Sequence, residues 1–252
     1  MTWRVLAASV IGTSHTADNR PCEDSCWANV DATIDGQPLL SMFVADGAGS
    51  AGYGGEGADL AIQAAAEFVG SKLKIPGFAI YDALAVDLLA AIRNRISGEA
   101  DRRELKARDF ACTFLGLLCS STSTLIMQVG DGGIALDIGN GLETPIAPMG
   151  GEYANMTHFV TQDDAADVLV TKSYPVHAVR AALFSDGLQR LAIHMATNTP
   201  HLPFFTRFFQ VMTETTEEQQ DEIHNALVRF LQSPSVNERT DDDKTLALAV
   251  IV

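Results

Sequence analysis

The stretch FVADGAGSAGYGGEG, residues 43–57, places an aspartate, Asp46, at the end of an apolar run and follows it with six glycines. One interpretation is a dinucleotide fingerprint, because Gly47, Gly49 and Gly52 spell G-x-G-x-x-G between a strand-like and a helix-like segment. The other is that Asp46 binds a metal ion, while the glycines let the backbone and a phosphate approach it closely. The two interpretations predict different enzymes, and the rest of the chain distinguishes them.

The dinucleotide interpretation requires a βαβ unit with an acidic residue about twenty positions beyond the fingerprint. Here one helix-like stretch is followed by another, and Asp46 would bring negative charge beside the pyrophosphate. Covalent mechanisms also lack support: no cysteine has an arginine six residues downstream, and no serine lies in G-x-S-x-G. The D-x-D-x-T pattern of residues 241–245 leaves only seven residues after it, too few for the domain that follows this pattern in aspartyl-phosphate phosphatases.

The bulk composition limits the possible partners. The chain has 252 residues, 47% of them hydrophobic, which predicts one large domain over residues 1–252. Its 17 basic and 32 acidic residues give a net charge of −15, which argues against nucleic acid or an anionic membrane as the partner. The four cysteines form no CxxC pair, and no run has the length of a signal peptide core or a membrane span. We therefore expect reduced thiols in a soluble, cytoplasmic protein.

Strand-like runs and helix pairs occur in blocks rather than in strict alternation. We predict strands over 3–11, 39–45, 110–120, 123–129, 134–139, 157–161, 167–172, 180–185 and 245–252. We predict helices over 56–73, after Pro76, through the phenylalanines of 204–209 and after the capping-box pattern of 215–218. GDGG, residues 130–133, is a hairpin signal. The pattern favours an α+β fold with a mostly antiparallel sheet and helices on its faces.

Carboxylates recur at the ends of the predicted strands. Three apolar runs end in Asp-Gly, at Asp46, Asp131 and Asp186, and two acidic clusters, 23–24 and 241–243, also lie beside strand ends. Each has a plain alternative: Asp131 as a hairpin residue, Asp186 as a helix N-cap, and 241–243 as a solvated loop. Their joint occurrence favours a site for two hard divalent cations, which prefer oxygen ligands.

The motifs CEDS, VADGAGS, FACTFLG, VGDGGIAL, FSDGL and DDDKTLALAV occur in the order expected of one family. With these residues the chain resembles the metal-dependent serine/threonine phosphatases of type 2C, in particular their compact bacterial branch, over nearly its whole length. The resemblance implies a central antiparallel β-sandwich flanked by pairs of antiparallel helices, in α-β-β-α layers, with two Mn²⁺ or Mg²⁺ ions at one edge.

The resemblance also implies roles for individual residues. Asp46 would bridge the two metals with the Gly47 carbonyl on one of them, and Asp186 and Asp242 would bind the other. Glu23 and Asp24 would reach the metals directly or through water, and Asp131 matches the aspartate that helps to hold a third, weaker metal in some members. Asp243 and Thr245 would support these ligands. The catalytic set is thus Asp46, Asp186 and Asp242.

The chain departs from the family pattern at two positions. The phosphate-binding arginine often lies four residues before the glutamate of the Glu-Asp pair, but here that position is Asn19 and the candidate is Arg20. Some members carry a histidine two residues after the bridging aspartate as a candidate general acid, but here that residue is Ala48. His15 lies upstream, where we predict a structural hydrogen-bonding role rather than catalysis.

The implied reaction is hydrolysis of phosphoserine or phosphothreonine in proteins by water that two metals activate, without a covalent intermediate. The partners would be phosphoproteins and a bacterial serine/threonine kinase that the enzyme opposes. The alternative from another class is a degenerate member that binds phosphoproteins or regulates without turnover.

Overall fold

The computed structural model describes residues 2–147 and 157–252, and their strands form two main antiparallel sheets. The strands are β1 (Trp3–Val10), β2 (Asp24–Ala32), β3 (Pro38–Asp46), β4 (Phe114–Cys119), β5 (Thr124–Val129), β6 (Gly133–Asp137), β7 (Val170–Tyr174), β8 (Arg180–Phe184), β9 (Ile193–His194), β10 (Thr199–Pro200) and β11 (Lys244–Ile251). One sheet has the order β1-β11-β8-β6, the other the order β2-β3-β4-β5-β7, and β9 pairs with β10 separately.

Helices cover the outer faces of both sheets. They are α1 (Thr13–Ala17), α2 (Gly54–Lys72), α3 (Leu84–Arg102), α4 (Gln189–Ala192), α5 (Leu202–Glu214), α6 (Gln220–Leu231) and α7 (Pro234–Asn237), with short 3-10 turns at Ala107–Phe110, Asp186–Leu188 and Glu217–Gln219. None of the helices that the structure describes has both the length and the apolar character needed to cross a membrane.

Strand β3 shows why the layers form. Successive side chains of a strand point to opposite faces, and both faces of this strand are covered, so the run LLSMFVA is buried throughout. Leu39 and Phe43 pack against α2 and α3, whereas Leu40, Met42 and Val44 pack against the four-stranded sheet. The strand therefore lies in the centre of the molecule and delivers Asp46 to the edge of the sandwich.

The other helix pair packs on the four-stranded sheet. Phe205, Phe209 and Met212 of α5 and Leu227 and Leu231 of α6 join a core cluster with side chains of β1, β8 and β11. The order of layers is thus helices, five-stranded sheet, four-stranded sheet, helices. This confirms the α+β sandwich predicted from the sequence.

Two sequence predictions about local structure are wrong. The GDGG segment is not a hairpin turn, because β5 belongs to the five-stranded sheet and β6 to the four-stranded one. Residues 157–161 form a loop and a turn rather than a strand, although Val160 is buried and its N–H donates to the Cys112 carbonyl at 3.0 Å. The predicted strand over 167–172 begins later, at Val170, and runs along a mostly exposed sheet edge.

The sequence pattern did not predict β2, the short helices α1 and α7, or the two-residue strands β9 and β10. Strand β2 has the sequence DSCWANVDA, and much of it is only half buried because it is an edge strand. Edge strands need no continuous apolar run, so the hydrophobic pattern gave no signal. The helix predicted after Pro76 begins only at Leu84.

Candidate active site

Hydrogen bonds from two neighbouring segments hold the backbone around Asp46. One segment ends at Thr113, just before β4, and the other at Glu23, just before β2. The Asp46 N–H donates to the Thr113 hydroxyl at 3.0 Å, and the Asp46 carbonyl accepts the Thr113 N–H at 2.8 Å. The Gly47 N–H donates to the Glu23 carbonyl at 3.0 Å. The segment FACT, residues 110–113, therefore lies next to VADG, residues 44–47, because Thr113 forms hydrogen bonds with both backbone groups of Asp46.

The glycines after Asp46 are explained in part by close backbone packing. A Cβ on Gly47 would lie 2.4 Å from the Gly54 carbonyl carbon, and one on Gly54 would lie 2.7 Å from the Ala48 oxygen. The loop after Asp46 folds back on itself before α2 begins. Only glycine fits where the two backbone segments touch each other. This holds Gly47 and Ala48 against the cavity described next.

A cavity of about 290 Å³ opens at this edge of the sandwich. It is lined by side chains or backbone of His15, Asp46, Gly47, Ala48, Gly49, Thr113, Asp131, Thr157, Phe159, Asp186 and Asp242. Four of the predicted site aspartates, from four separate segments of the chain, therefore line one cavity.

Asp24 lies directly behind Asp46, because the two residues are opposite each other in the β2–β3 pairing. Its side chain is buried, and its Oδ2 accepts the hydroxyls of Ser185 and Thr245, each at 2.7 Å. Its Oδ1 is buried without a hydrogen-bond partner in the described structure, as is Oδ1 of Asp186. An unpaired buried carboxylate oxygen is costly, so both atoms are suited to a cation.

Burial and mutual repulsion raise the pKa values of three carboxyl groups of the site, those of Asp24, Asp46 and Asp186. Burial raises the pKa of Asp24 to about 7, with Asp243 and Asp186 adding repulsion. Burial also raises the pKa of Asp186 to about 6, with repulsion from Asp131 and Asp242 next. For Asp46 the pKa lies well above its usual range, first through burial and then through the charges of Asp24 and Asp186. A divalent cation would remove this repulsion.

Glu23 and Arg20 lie at the rim and contact each other rather than the cavity. Arg20 Nη2 donates to Glu23 Oε2 at 2.6 Å, and this ion pair is partly exposed. A Cβ on Gly49 would lie 3.8 Å from Arg20 Nη2, so the guanidinium is next to a residue that lines the cavity. The structure thus brings Arg20 beside the site, with its charge shared by Glu23.

Asp131 is not a hairpin residue and Asp186 is not a helix N-cap, so the plain alternative for each is wrong. The Asp131 turn connects the two sheets, and its carboxylate accepts the hydroxyl of Thr157 at 2.5 Å. Gln128 shapes this turn, because its buried amide donates to the carbonyls of Gly130 and Gly132 at 2.9 and 3.0 Å. Asp186 begins a 3-10 turn that Ser185 precedes as N-cap, so it does not cap the helix.

Asp243 is buried and joins three segments near the site, in contrast to the solvated loop that the plain alternative predicts for this cluster. Its carboxylate accepts the N–H groups of Gly12 and Glu23, both at 2.6 Å, and contacts His15 Nδ1 at 2.9 Å. It therefore holds the chain next to Asp242 against Gly12 and Glu23.

The arrangement favours oxygen-liganded metal ions, although the ligands are not drawn tightly together. In the described part of the chain, no three acidic, histidine or cysteine side chains form a ready-made metal cage. Carboxylates repel one another, so they are expected to close in only when a cation offsets their charge. The donors are all oxygen atoms and two of them are buried and unpaired, which fits Mn²⁺ or Mg²⁺ better than a soft metal.

Some residues that shape the site gave little signal in the sequence. Thr113, Ser185 and Thr245 lie inside the recognised motifs, but their hydrogen bonds depend on the pairing of distant strands. Thr157 and Gln189, whose amide donates to the Asp131 carbonyl, lie outside any motif. None of the four cysteines is paired with another, and Cys112 and Cys119 are buried.

Several solved structures share this fold. The catalytic domain of serine threonine protein phosphatase PstP, in complex with 2 manganese ions, is 20% identical with a TM-score of 0.61, over 99% of this chain and 98% of that one. Serine/threonine phosphatase Stp1 from Staphylococcus aureus is 16% identical with a TM-score of 0.59, over 100% and 96%. At these identities the likeness establishes the fold, which is that of bacterial serine/threonine phosphatases.

Sequence comparison identifies the family. The family model described as protein phosphatase 2C matches residues 11–232. Serine/threonine-protein phosphatase 3 of Escherichia coli (strain K12) is 52% identical over 250 residues, which cover 99% of both chains. The chain therefore belongs to the protein phosphatase 2C family, which confirms the resemblance and the class of enzyme predicted from the sequence.

Proposed function

We propose that this chain hydrolyses phosphoserine and phosphothreonine in proteins with the help of two Mn²⁺ or Mg²⁺ ions, and that residues 1–252 form one phosphatase domain. The observation that carries the proposal is the cavity onto which Asp46, Asp131, Asp186 and Asp242 converge from separate segments. The family membership and the two manganese ions of the PstP complex support the same chemistry.

The proposed metal ligands are those that the resemblance to the family implies, and the cavity supports them by bringing several of these residues together. Asp46 is opposite Asp24 in the β2–β3 pairing and lines the cavity with Asp186, so it is our candidate for a ligand that both ions share, with the Gly47 carbonyl as a further ligand. Asp186 and Asp242 would hold the second ion. Asp24, with its unpaired Oδ1, would act directly or through water, as would Glu23.

Two such ions, when bound, make hydroxide available near neutral pH and neutralise the charge of the phosphoryl oxygens. The protein supplies the positions. Thr113 holds the Asp46 backbone, Ser185 and Thr245 hold the Asp24 carboxylate, and the glycine loop, which lines the cavity with Gly47, Ala48 and Gly49, would let the phosphate approach closely. No cysteine or serine nucleophile is needed for direct attack by water.

Arg20 is our candidate for binding the substrate phosphate. Its guanidinium lies beside Gly49 at the edge of the cavity and is paired with Glu23. Arginine binds phosphate oxygens in a bidentate manner, and the existing ion pair with Glu23 would orient its planar group. The substrates would be phosphoproteins of a serine/threonine kinase, and a cytoplasmic location remains our prediction.

Removal of divalent cations is expected to abolish turnover. The carboxylates alone repel a phosphate dianion, so a sample treated with EDTA should lose activity against both p-nitrophenyl phosphate and a phosphothreonine peptide. Activity should return when Mn²⁺ is added in excess of the chelator. Full activity in a sample shown to be free of metal would contradict the proposal. Metal binding and phosphopeptide binding without any turnover would favour the non-catalytic alternative.

Asp131→Ala tests the weaker third metal site. We expect turnover at saturating metal to fall about 10- to 100-fold, the usual effect of removing a group that tunes a metal centre. Thr157→Val is the matched control, because it removes the hydrogen bond to the Asp131 carboxylate but leaves the charge. An equal loss in both variants would assign Asp131 to loop structure alone. Kinetics at several Mn²⁺ concentrations, with calorimetry for the two tight sites, give the comparison.

A further inference from the structure

His15 occupies a position that its sequence context did not predict. It lies in the short helix α1, its side chain is buried, and it lines the cavity together with Asp46, Asp186 and Asp242. It does form structural hydrogen bonds, as expected, but only with one of its two ring nitrogens. The other nitrogen is available for a different role.

The contacts of Nδ1 fix the tautomer of this ring. Nδ1 lies 2.9 Å from Asp243 Oδ2 and 3.1 Å from the Pro21 carbonyl, and both of these atoms can only accept. The Pro21 carbonyl can only accept, so Nδ1 carries a proton; Nε2 carries one as well only in the imidazolium form, which is the form that can act as an acid. Nε2 has no hydrogen-bond partner among the described residues. A buried carboxylate that contacts one ring nitrogen of a histidine, with the other nitrogen left without a protein partner, is an arrangement found where histidine acts as a catalytic acid or base.

Among the cavity residues that the structure describes, no other side chain can readily protonate an alkoxide. The lining consists of carboxylates that would hold cations, two threonines, Phe159, two glycines and Ala48. Threonine hydroxyls are very weak acids, and a carboxylate that binds a cation carries no proton. The residue two positions after Asp46 is an alanine, so no acidic side chain is available at that position. His15 is the remaining candidate.

We propose that His15 is the general acid that protonates the leaving oxygen of the substrate, with Asp243 orienting its ring; this rests on the phosphatase function proposed above. As the bond from phosphorus to the serine or threonine oxygen breaks, its electron pair stays on that oxygen, which takes the proton from Nε2. A water molecule forms the new bond to phosphorus and releases one proton, which restores the imidazolium through solvent. One water is consumed, and a hydroxyl side chain and inorganic phosphate are produced.

The test is His15→Asn in the full chain, measured on two esters that differ in their need for an acid. The asparagine amide can still donate to Asp243, but it cannot transfer a proton. p-Nitrophenolate leaves without protonation, whereas a serine or threonine alkoxide does not. We expect kcat on a phosphothreonine peptide to fall about 10²- to 10⁴-fold, the usual contribution of a general acid. On p-nitrophenyl phosphate the fall should be less than about tenfold.

His224→Asn is the matched control, since His224 is exposed on α6; it should leave both rates unchanged. Melting temperature and Mn²⁺ affinity by calorimetry should be the same in His15→Asn as in the wild type. Equal losses on the two esters would show a structural role and overturn the proposal, as would no loss on the peptide. A wild-type enzyme inactive on both esters would refute the phosphatase function instead.

A measurement on the wild type keeps the proposal testable if His15→Asn does not fold. Rates for a series of aryl phosphates with increasingly basic leaving groups should depend only weakly on leaving-group basicity, because a protonated oxygen leaves without charge. A steep dependence across the series would show that no acid assists, and would overturn the proposal.

Discussion

Asp46→Asn is expected to reduce turnover about a thousandfold or more, equivalent to about 4 kcal/mol of transition-state stabilisation at 1.4 kcal/mol for each factor of ten. The amide keeps the size of the side chain and one acceptor oxygen, but it loses the negative charge needed to bridge two cations. The backbone contacts with Thr113 do not involve the side chain and should remain. Kinetics with a phosphopeptide at saturating Mn²⁺ and calorimetry of Mn²⁺ binding measure both losses.

The same substitution should stabilise the metal-free protein at neutral pH. A carboxyl group whose pKa is raised in the folded state favours folding only while it is protonated, so its contribution is lost as the pH rises through the folded value. The pKa is about 7 for Asp24 and about 6 for Asp186, and it is raised for Asp46 as well. The metal-free wild type should therefore melt at a lower temperature at pH 8 than at pH 5, and Asp46→Asn should reduce this difference.

Asp59→Asn is the matched control for Asp46→Asn. Asp59 is exposed on α2, and its substitution removes the same charge at a position away from the cavity. It should change neither turnover nor the pH dependence of melting by a measurable amount. Turnover in Asp46→Asn close to that of the wild type would refute the bridging role. The glycine-rich segment would then be only a tight turn.

The layers of the fold could be predicted from the sequence because apolar runs dominate the signal. Strand β3 and strand β11 are buried throughout, and α3 repeats its apolar residues at helical spacing. Such patterns follow directly from which faces are covered. Strand β2 could not be found in this way, since an edge strand with polar residues at Asp24, Asn29 and Asp31 has no comparable pattern.

The site was predictable in its carboxylates but not in its supporting contacts. Asp46, Asp131 and Asp186 follow apolar runs, so their positions at strand ends were visible in the chain. The GDGG turn was interpreted as a hairpin because local turn chemistry does not show whether the next strand joins the same sheet. The buried contact between His15 and Asp243 joins residues far apart in the sequence, which the pairing of β1 with β11 helps to bring together.

The second large effect is expected from substitution of Gly187, which lies between Asp186 and the segment that holds Asp242. It follows Asp186 in the 3-10 turn, and a Cβ there would lie 2.0 Å from the Asp243 carbonyl oxygen. Backbone atoms cannot move aside as a flexible side chain can, so Gly187→Ala must push the Asp186 turn away from the segment that holds Asp242. We expect a loss of about 1–3 kcal/mol in the free energy of unfolding, the usual cost of overpacking a dense interior.

The effect of Gly187→Ala on turnover should exceed what its stability loss explains. A displacement of about 1 Å between catalytic groups can cost about a hundredfold in rate, so kcat should fall by that order at a temperature where the variant is folded. Gly70→Ala is the control: Gly70 is in α2 with nothing within 4 Å of an added Cβ, and alanine there should stabilise the helix by up to about 1 kcal/mol without changing kcat. Urea unfolding and kinetics on the same samples separate the two effects. If Gly187→Ala loses stability but keeps wild-type kcat and Mn²⁺ affinity, then Asp186 and Asp242 do not have to share a cation, and the two-metal assignment fails at that ion.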